Sequence, residues 1–416
     1  MPPTPAAATG TAAPAPAHPP TPPVPPGPLN GVTVLDLAAV GPAARCTRLL
    51  ADYGATVVKV GAPAGVAGGI VPPAYAYSGH RHLRRINIDL RSDGGRGAFL
   101  ALVAGADVVI ESFRPGVMAR LGLGYEALAA VNPGVILCST TGFGQHGPRA
   151  GWAGHDIDYL AVGGYLATST PRADGGPPLP GATVADAAAG GMHAALAVVT
   201  ALVGRASTGR GTHLDVAIAD GVLWLESLAI DEHLATGTEP GPGHDLLTGR
   251  YACYDTYRAA DGGWLAVGAI EPKFFANLCR LLGCPQWADH QFDDDAQAAI
   301  RADVAAAFAT RGRDDWVALL SGEDTCVAPV LRVAELAGDE HLAARGAFVD
   351  AAVVDDGTGR PGPSFRQVGP VLAGMARPEG TVAVRDASVT DATALLAGAG
   401  LDGGRIAALL EEGVVS

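Results

Sequence analysis

Val32-Thr33-Val34-Leu35-Asp36-Leu37, then Gly41-Pro42, then Thr56-Val57-Val58-Lys59-Val60 decides the fold of this chain. The two flanking runs are short, apolar and β-branched, and each reads as a buried strand. Between them, a Gly-Pro start opens a helical apolar pattern over residues 43–53. Strand, helix and strand in that order join parallel strands by a right-handed crossover. Working outward, residues 86–90 predict a strand, 94–104 a helix, 107–110 a strand, 116–121 a helical turn and 135–139 another strand. Alternation of this kind predicts an α/β fold with a large, open, Rossmann-like parallel sheet, whose ligand sits beyond the carboxyl ends of the strands.

Asp186 then opens a small-residue helix reaching about residue 202, and Ser207-Thr208-Gly209-Arg210-Gly211 turns the chain. A strand follows over 212–216 and a helix over 217–236. The Gly/Pro-rich residues 237–243 mark a linker. Beyond it, 251–257 and 263–268 pair as strands around Ala260-Asp261-Gly262, and helices follow over 273–282, 296–310 and 313–320. The expected organisation is a disordered Pro/Ala-rich tail (1–28), a large α/β domain (29–236), the linker and a small α+β domain (244–340). A return segment (341–416) then leads back to the large domain and ends in a C-terminal helix. Residues 327–331 are expected to begin that return.

Hydrophobic residues at 48% and charged residues at 17% describe a globular chain with ample material for burial. A net charge of −14 argues against non-specific nucleic-acid binding and requires that any polyanionic ligand meet a local arginine cluster. Arg81, Arg84, Arg85, Arg91, Arg114 and Arg120 form such a concentration. The six cysteines show neither CxxC nor Cys/His metal spacing, so reduced thiols and no metal site are expected. The N-terminus lacks a basic start with a continuous apolar stretch, and the richest apolar run, 194–203, is short for a bilayer. A cytoplasmic protein with no membrane or nucleic-acid partner is the expectation. The turn Ala38-Ala39-Val40-Gly41-Pro42 lacks GxGxxG, and no nucleophile elbow or P-loop is present.

Three titratable residues stand in contexts suited to chemistry. His155, in Gly154-His155-Asp156, follows a loop rich in Gly, Pro and Gln, and imidazole works as acid or base near neutrality. Asp186 begins a helix, where it serves as an N-cap, as a rigidly held base, or as both. Glu271 stands at a strand end before Pro272. An imidazole and two carboxylates can remove a proton from one face of a carbon and return it from the other.

The strings Trp152-Ala153-Gly154-His155-Asp156-Ile157-Asp158-Tyr159 and Ala266-Val267-Gly268-Ala269-Ile270-Glu271-Pro272 closely resemble the α-methylacyl-CoA racemases, a branch of the family III CoA-transferase (CaiB/BaiF) superfamily. The resemblance runs from about residue 29 to about 374. It implies an interlocked homodimer and a catalytic set in which His155 and Asp186 are the α-proton bases and Glu271 pairs with His155. It also implies CoA contacts at Arg84, Ile88, Asp89, Leu90, Arg91, Ser112, Phe113, Arg114, Arg120, Gly154, Asp156, Ile157, Asp158 and Tyr159. One departure is Gly61-Ala62-Pro63: Ala62 stands where close racemase relatives carry a CoA-binding arginine, and the expectation is that Arg81 or another nearby arginine substitutes or that CoA binding is weaker or altered. The expected activity is racemisation of 2-methyl-branched acyl-CoA thioesters, a step of lipid metabolism. It runs through an enolate held by backbone amides at the helix that Asp186 starts, with no cofactor beyond the CoA of the substrate. In the transferases of the superfamily the matching aspartate is an anhydride-forming nucleophile, so CoA transfer is the alternative. A non-catalytic acyl-CoA-binding protein of the same fold is the third reading.

Overall fold

The computed structural model describes residues 27–38, 40–63, 73, 75–76, 81–354, 362–372, 374–375, 377–378, 380–386 and 388–416. Residues 1–26 of the expected tail lie outside the described residues, whereas Gly27 and Pro28 do not: Gly27 donates to Asn30 Oδ1. The first strands are β1 (Thr33–Asp36), β2 (Thr56–Gly61), β3 (Leu83–Asn87), β4 (Val108–Glu111), β5 (Ile136–Thr141) and β6 (His213–Ala217). They form one six-stranded sheet in the order β3-β2-β1-β4-β5-β6, and the pairs from β3 to β5 are parallel. The order reverses between β1 and β4, the place where open α/β sheets leave a crevice at the carboxyl edge.

By internal packing the chain forms two compact units. The first comprises Met1–Ser139, Ala194–Leu214 and Gly346–Ser416. Its core joins Leu35, Val58, Ile86, Phe99, Val109 and Leu137 to Leu396 and Leu409 of the C-terminal helices Ala392–Gly398 and Gly403–Glu411. Parallel strands covered on both faces bury apolar side chains on both, which is why β1 and β2 read as unbroken apolar runs. The polar residues among them are paired: Lys59 Nζ lies 2.5 Å from Asp36 Oδ2, and the Asp36 carboxylate also accepts from Thr47 and the Ala38 amide. Ser416, the last residue, exchanges backbone hydrogen bonds with Asn87 at the end of β3.

The second unit comprises Thr140–His193 and Asp215–Arg345. Here β7 (Tyr254–Arg258), β8 (Trp264–Gly268) and β9 (Val327–Pro329) form an antiparallel sheet. It is backed by the helices Pro272–Leu282, Gln297–Phe308 and Arg313–Leu320 around Phe275, Leu278, Ile300, Phe308 and Trp316. A third sheet, β10 (Phe348–Val354), β11 (Ser364–Val368) and β12 (Val382–Arg385), belongs to the first unit; β10 pairs antiparallel with β11 and parallel with β12.

Several expectations are corrected. The third strand runs Leu83–Asn87 rather than 86–90, because β2 pairs Val57 with Leu83 and carries the register on from there. Residues 327–329 do not begin a return to the large unit; they are the edge strand of the small sheet. The single helix expected over 217–236 is two, Ile218–Leu225 and Ser227–Thr236. The units also cut the chain differently from the expected domains, since 140–193 and 215–236 pack with the smaller sheet's segment. The helix after Asp186 is longer than the apolar run inside it: Ala185–Thr208 is continuous, and an 18-residue stretch of it has mean hydropathy 1.6, long and apolar enough by composition to cross a bilayer. Five of the six cysteines are buried, and none is in a disulfide.

Candidate active site

Beyond β5 the chain turns through Gly142-Phe143-Gly144, and Gly144 takes a left-handed φ of 82°. Both carboxylate oxygens of Asp215 accept from the Gln145 amide, at 3.0 and 2.9 Å, and pin the loop. The helix Asp156–Val162 then starts, with His155 as its N-cap residue. The His155 amide donates to Asp158 Oδ2 at 2.9 Å, which satisfies a backbone group that the helix start leaves open. Tyr159 lies beneath. Its hydroxyl donates to the Gly154 carbonyl at 2.5 Å, and its ring meets Phe143 edge-to-face with centroids 5.3 Å apart. A Cβ at Gly154 would come within 2.8 Å of that ring, and one at Gly142 within 2.3 Å. The glycine before His155 is therefore set by the aromatic floor under it. The imidazole-bearing residue is exposed above this floor.

Asp186 comes to the same place from another element. The eight residues Ala185–Met192 form a wide π-helical segment, which continues as the α-helix His193–Thr208. Its Ala and Gly residues leave room for the wider turn, a form found often at functional sites. The N-cap is Val184, so Asp186 is not the cap but a first-turn residue. The cap is supplied from a distance: Asp156 Oδ1 accepts from the Asp186 amide at 2.8 Å. That bond ties the backbone of Asp186 to the residue next to His155. Asp186, Asp156 and Asp158 all act on Tyr159; burial first, and then these carboxylates, push its phenol up to about 12.

Two of the amides around Asp186, where an enolate is expected to be held, are engaged within the protein. The Asp186 amide is taken by Asp156, and that of Ala187 donates to the Thr183 carbonyl. The amides of Asp156 and Ile157, in the first turn after His155, have no hydrogen-bond partner among the described residues. Of the predicted contacts on this helix, Asp156 holds the Asp186 amide and the Tyr159 hydroxyl is engaged with Gly154, whereas Ile157 is exposed.

Glu271 lies three residues past β8, as the N-cap residue of the helix Pro272–Leu282, rather than at the strand end itself. Its side chain is exposed, and within the chain no hydrogen bond or ion pair among the described residues joins it to His155. The pairing expected of Glu271 is therefore not made by a single copy.

Of the other predicted CoA contacts, Arg84 lies in β3, and Ile88 to Arg91 and Ser112 to Arg120 lie on the segments that leave β3 and β4. Ile88 is core, and Leu90 packs against the same core, so neither offers its side chain to a ligand; Asp89 uses Oδ1 to hold the Arg91 amide. Arg84 is half-buried, with an unpartnered Nε. Arg91, Arg114 and Arg120 are exposed, and their guanidinium groups have no hydrogen-bond or ion-pair partner among the described residues; Ser112 is exposed too. Phe113 is partly buried on the core. Arg81 corrects an expectation: it is fully buried, paired with Asp52 at 2.8 Å, and donates to Gln367 and to the Val368 carbonyl. It cannot stand in for an arginine at Ala62. Sequence reasoning missed Asp215, which anchors the Gln145 loop, and Glu111, whose carboxylate holds the Phe113 amide at 2.6 Å. Burial pushes the Glu111 carboxyl up, against the opposing hydrogen bonds from Ser139 and Phe113. Only the position of Glu111 directly before Ser112-Phe113-Arg114 could have drawn notice to it.

Both racemases and CoA-transferases are among the known proteins that the chain is similar to. The α-methylacyl-CoA racemase of Homo sapiens is 35% identical over 329 residues, 79% of this chain and 84% of that protein. The acetyl-CoA:oxalate CoA-transferase of Acetobacter aceti is 33% identical over 345 residues, 79% of this chain and 87% of its own length. A solved CaiB/BaiF family protein from Brucella suis matches 88% of this chain and 93% of its own, with TM-score 0.67 and 28% identity. Residues 29–378 match the family described as CoA-transferase family III, and the chain belongs to that family.

Proposed function

We propose that this protein is a racemase acting at the α-carbon of 2-methyl-branched acyl-CoA thioesters, with His155 and Asp186 as its two bases. One observation carries the reading: the 2.8 Å hydrogen bond from the Asp186 amide to Asp156 fixes the second base relative to the residue next to the first. The thioester carbonyl acidifies the α-proton. One base removes it, and the amides of Asp156 and Ile157, at the positive end of their helix, stabilise the enolate oxygen. The other base returns a proton to the opposite face. Ser112, Arg91, Arg114 and Arg120 hold the CoA moiety, guanidinium forks being suited to its phosphates. The reaction runs in the cytoplasm without a metal or redox cofactor.

The enzyme works as a homodimer. Met192, Leu196, Val199 and Val203 recur at helical spacing on Ala185–Thr208 and are all exposed in the single chain, Leu196 by 63% and Val203 by 69%; Trp224 is 68% exposed and Leu228 64%. A stripe this apolar requires a cover, and a second copy supplies one. In such a dimer Glu271 orients His155 of the partner subunit, which accounts for the absence, among the described residues, of a bond between Glu271 and His155 within one copy.

The rival is CoA transfer through an acyl anhydride on Asp186, the chemistry of other superfamily members. His155 favours racemisation, since anhydride chemistry needs no second proton base. Incubation with an acyl-CoA, a free carboxylic acid acceptor and hydroxylamine separates the two. The expected result is unmodified Asp186 and no CoA transfer; a hydroxamate at Asp186 with acceptor-dependent transfer would give the case to the rival.

A further inference from the structure

Glu111 ends β4 and is only 3% exposed, yet no ion pair among the described residues reaches it. Its Oε2 accepts from the Phe113 amide at 2.6 Å, and the Ser139 hydroxyl bonds to the same carboxylate. Glu111 and Ser139 are register partners on adjacent parallel strands. Ser139, 2% exposed, lies 2.9 Å from His213 Nε2, and the His213 ring stacks on Tyr125 with centroids 6.0 Å apart. Three neighbouring strands, β4, β5 and β6, thus carry Glu, Ser and His in one row. The polarity of the row follows from its protons. A serine hydroxyl has one hydrogen, and given to Glu111 it leaves a lone pair for the Nε2–H of His213. A buried carboxylate without a cation is costly unless donors surround it, and here both donors are held by backbone or strand register.

We propose that this row is a positioning device for CoA: Glu111, steadied by Ser139 and His213, fixes the backbone at Phe113 and so aims Ser112 and Arg114 at the ligand. The inference rests on the reading that Ser112 and Arg114 bind CoA. An apolar residue at 111 would fill the same space, but it would leave the Phe113 amide without its acceptor and free the chain to leave β4 in more than one direction.

The test is calorimetric titration of the full chain with coenzyme A, together with KM and kcat for the acyl-CoA substrate. Glu111→Ala is expected to weaken CoA binding by about tenfold, with the loss falling on KM rather than on kcat at saturation. Glu111→Gln keeps an oxygen for the Phe113 amide and is expected to restore most of the affinity that Glu111→Ala loses. Ser139→Ala cuts the row in its middle and should give an intermediate loss, which keeps the proposal testable if Glu111→Ala does not fold. Arg114→Ala is the reference for direct contact. If Arg114→Ala weakens CoA binding while folded Glu111→Ala and Ser139→Ala bind it like wild type, the positioning role is overturned and the CoA site stands. If Arg114→Ala also binds like wild type, the CoA-site reading fails and this inference with it. A Glu111→Ala loss confined to kcat would likewise overturn the positioning role.

Discussion

In the proposed mechanism His155 and Asp186 serve opposite faces of one carbon, so removing either would leave a half-reaction. His155→Ala and Asp186→Asn are each expected to lower racemisation by at least ~100-fold, measured by chiral analysis of the acyl product. Each variant can still exchange the α-proton of one epimer. Two arginines give a contrasting pair. Arg81→Ala leaves Asp52, in a buried site, with Arg48 as its one ion-pair partner among the described residues, and the lost pair should cost about 3–5 kcal/mol of stability. Arg114 is exposed, and its guanidinium has no partner among the described residues, so Arg114→Ala should leave the unfolding transition in place and weaken CoA binding. Equal CoA affinity in Arg114→Ala and wild type would remove it from the site. At this scale His155 and Asp186 stood out in the sequence because their types and local context suit proton transfer. Their connection did not stand out, because the cap of Asp186 is Asp156, thirty positions away, and a non-local hydrogen bond leaves no periodic trace.

The short helix Asp156–Val162 is the element on which the site depends. Asp156→Ala removes the acceptor for the Asp186 amide. A base displaced by about 1 Å loses roughly 10²-fold in rate, so kcat should fall while the fold persists. Tyr159 offers a pH-dependent check. Its phenol is raised from 10.0 to about 12 in the folded chain, so the folded state keeps its proton where the unfolded state loses it. The stability it contributes is complete below about pH 10 and is lost as pH rises through about 12. Tyr159→Phe should therefore flatten part of the alkaline limb of stability against pH, at a cost of about 1 kcal/mol near neutrality for the lost bond to Gly154. An alkaline limb unchanged in Tyr159→Phe would contradict the placement of that hydroxyl. Among elements, β1, β2, β4 and β5 were legible because buried parallel strands are apolar throughout. β3 was displaced in the reading because Arg84 and Arg85 lie inside it, and charge hides a strand whose register is set by its neighbour. The strands β10 to β12 were missed because their pairing, part antiparallel and part parallel, is set by segments distant in sequence.

The whole chain reads as a six-stranded α/β unit and a smaller sheet-and-helix unit, and that much followed from alternation and the hairpin around residues 260–262. The true division into units did not follow, because the chain passes from one to the other several times and composition does not change where it does so. Assembly is tested at this scale. Leu196→Asp places a charge on the exposed stripe and should convert a dimer to a monomer in sedimentation. It should also lower activity if Glu271 serves His155 of the partner subunit; a wild-type protein that sediments as a monomer would contradict the dimer. The central claim is that one enzyme carries a proton off one face of a thioester α-carbon and returns it to the other. Its most direct test is incubation of a single epimer of a 2-methylacyl-CoA with the enzyme in deuterated water, followed by mass and chiral analysis. The account predicts that the opposite epimer appears carrying one deuterium at the α-carbon; conversion without deuterium, or no conversion with CoA transferred to an added acid, would contradict it.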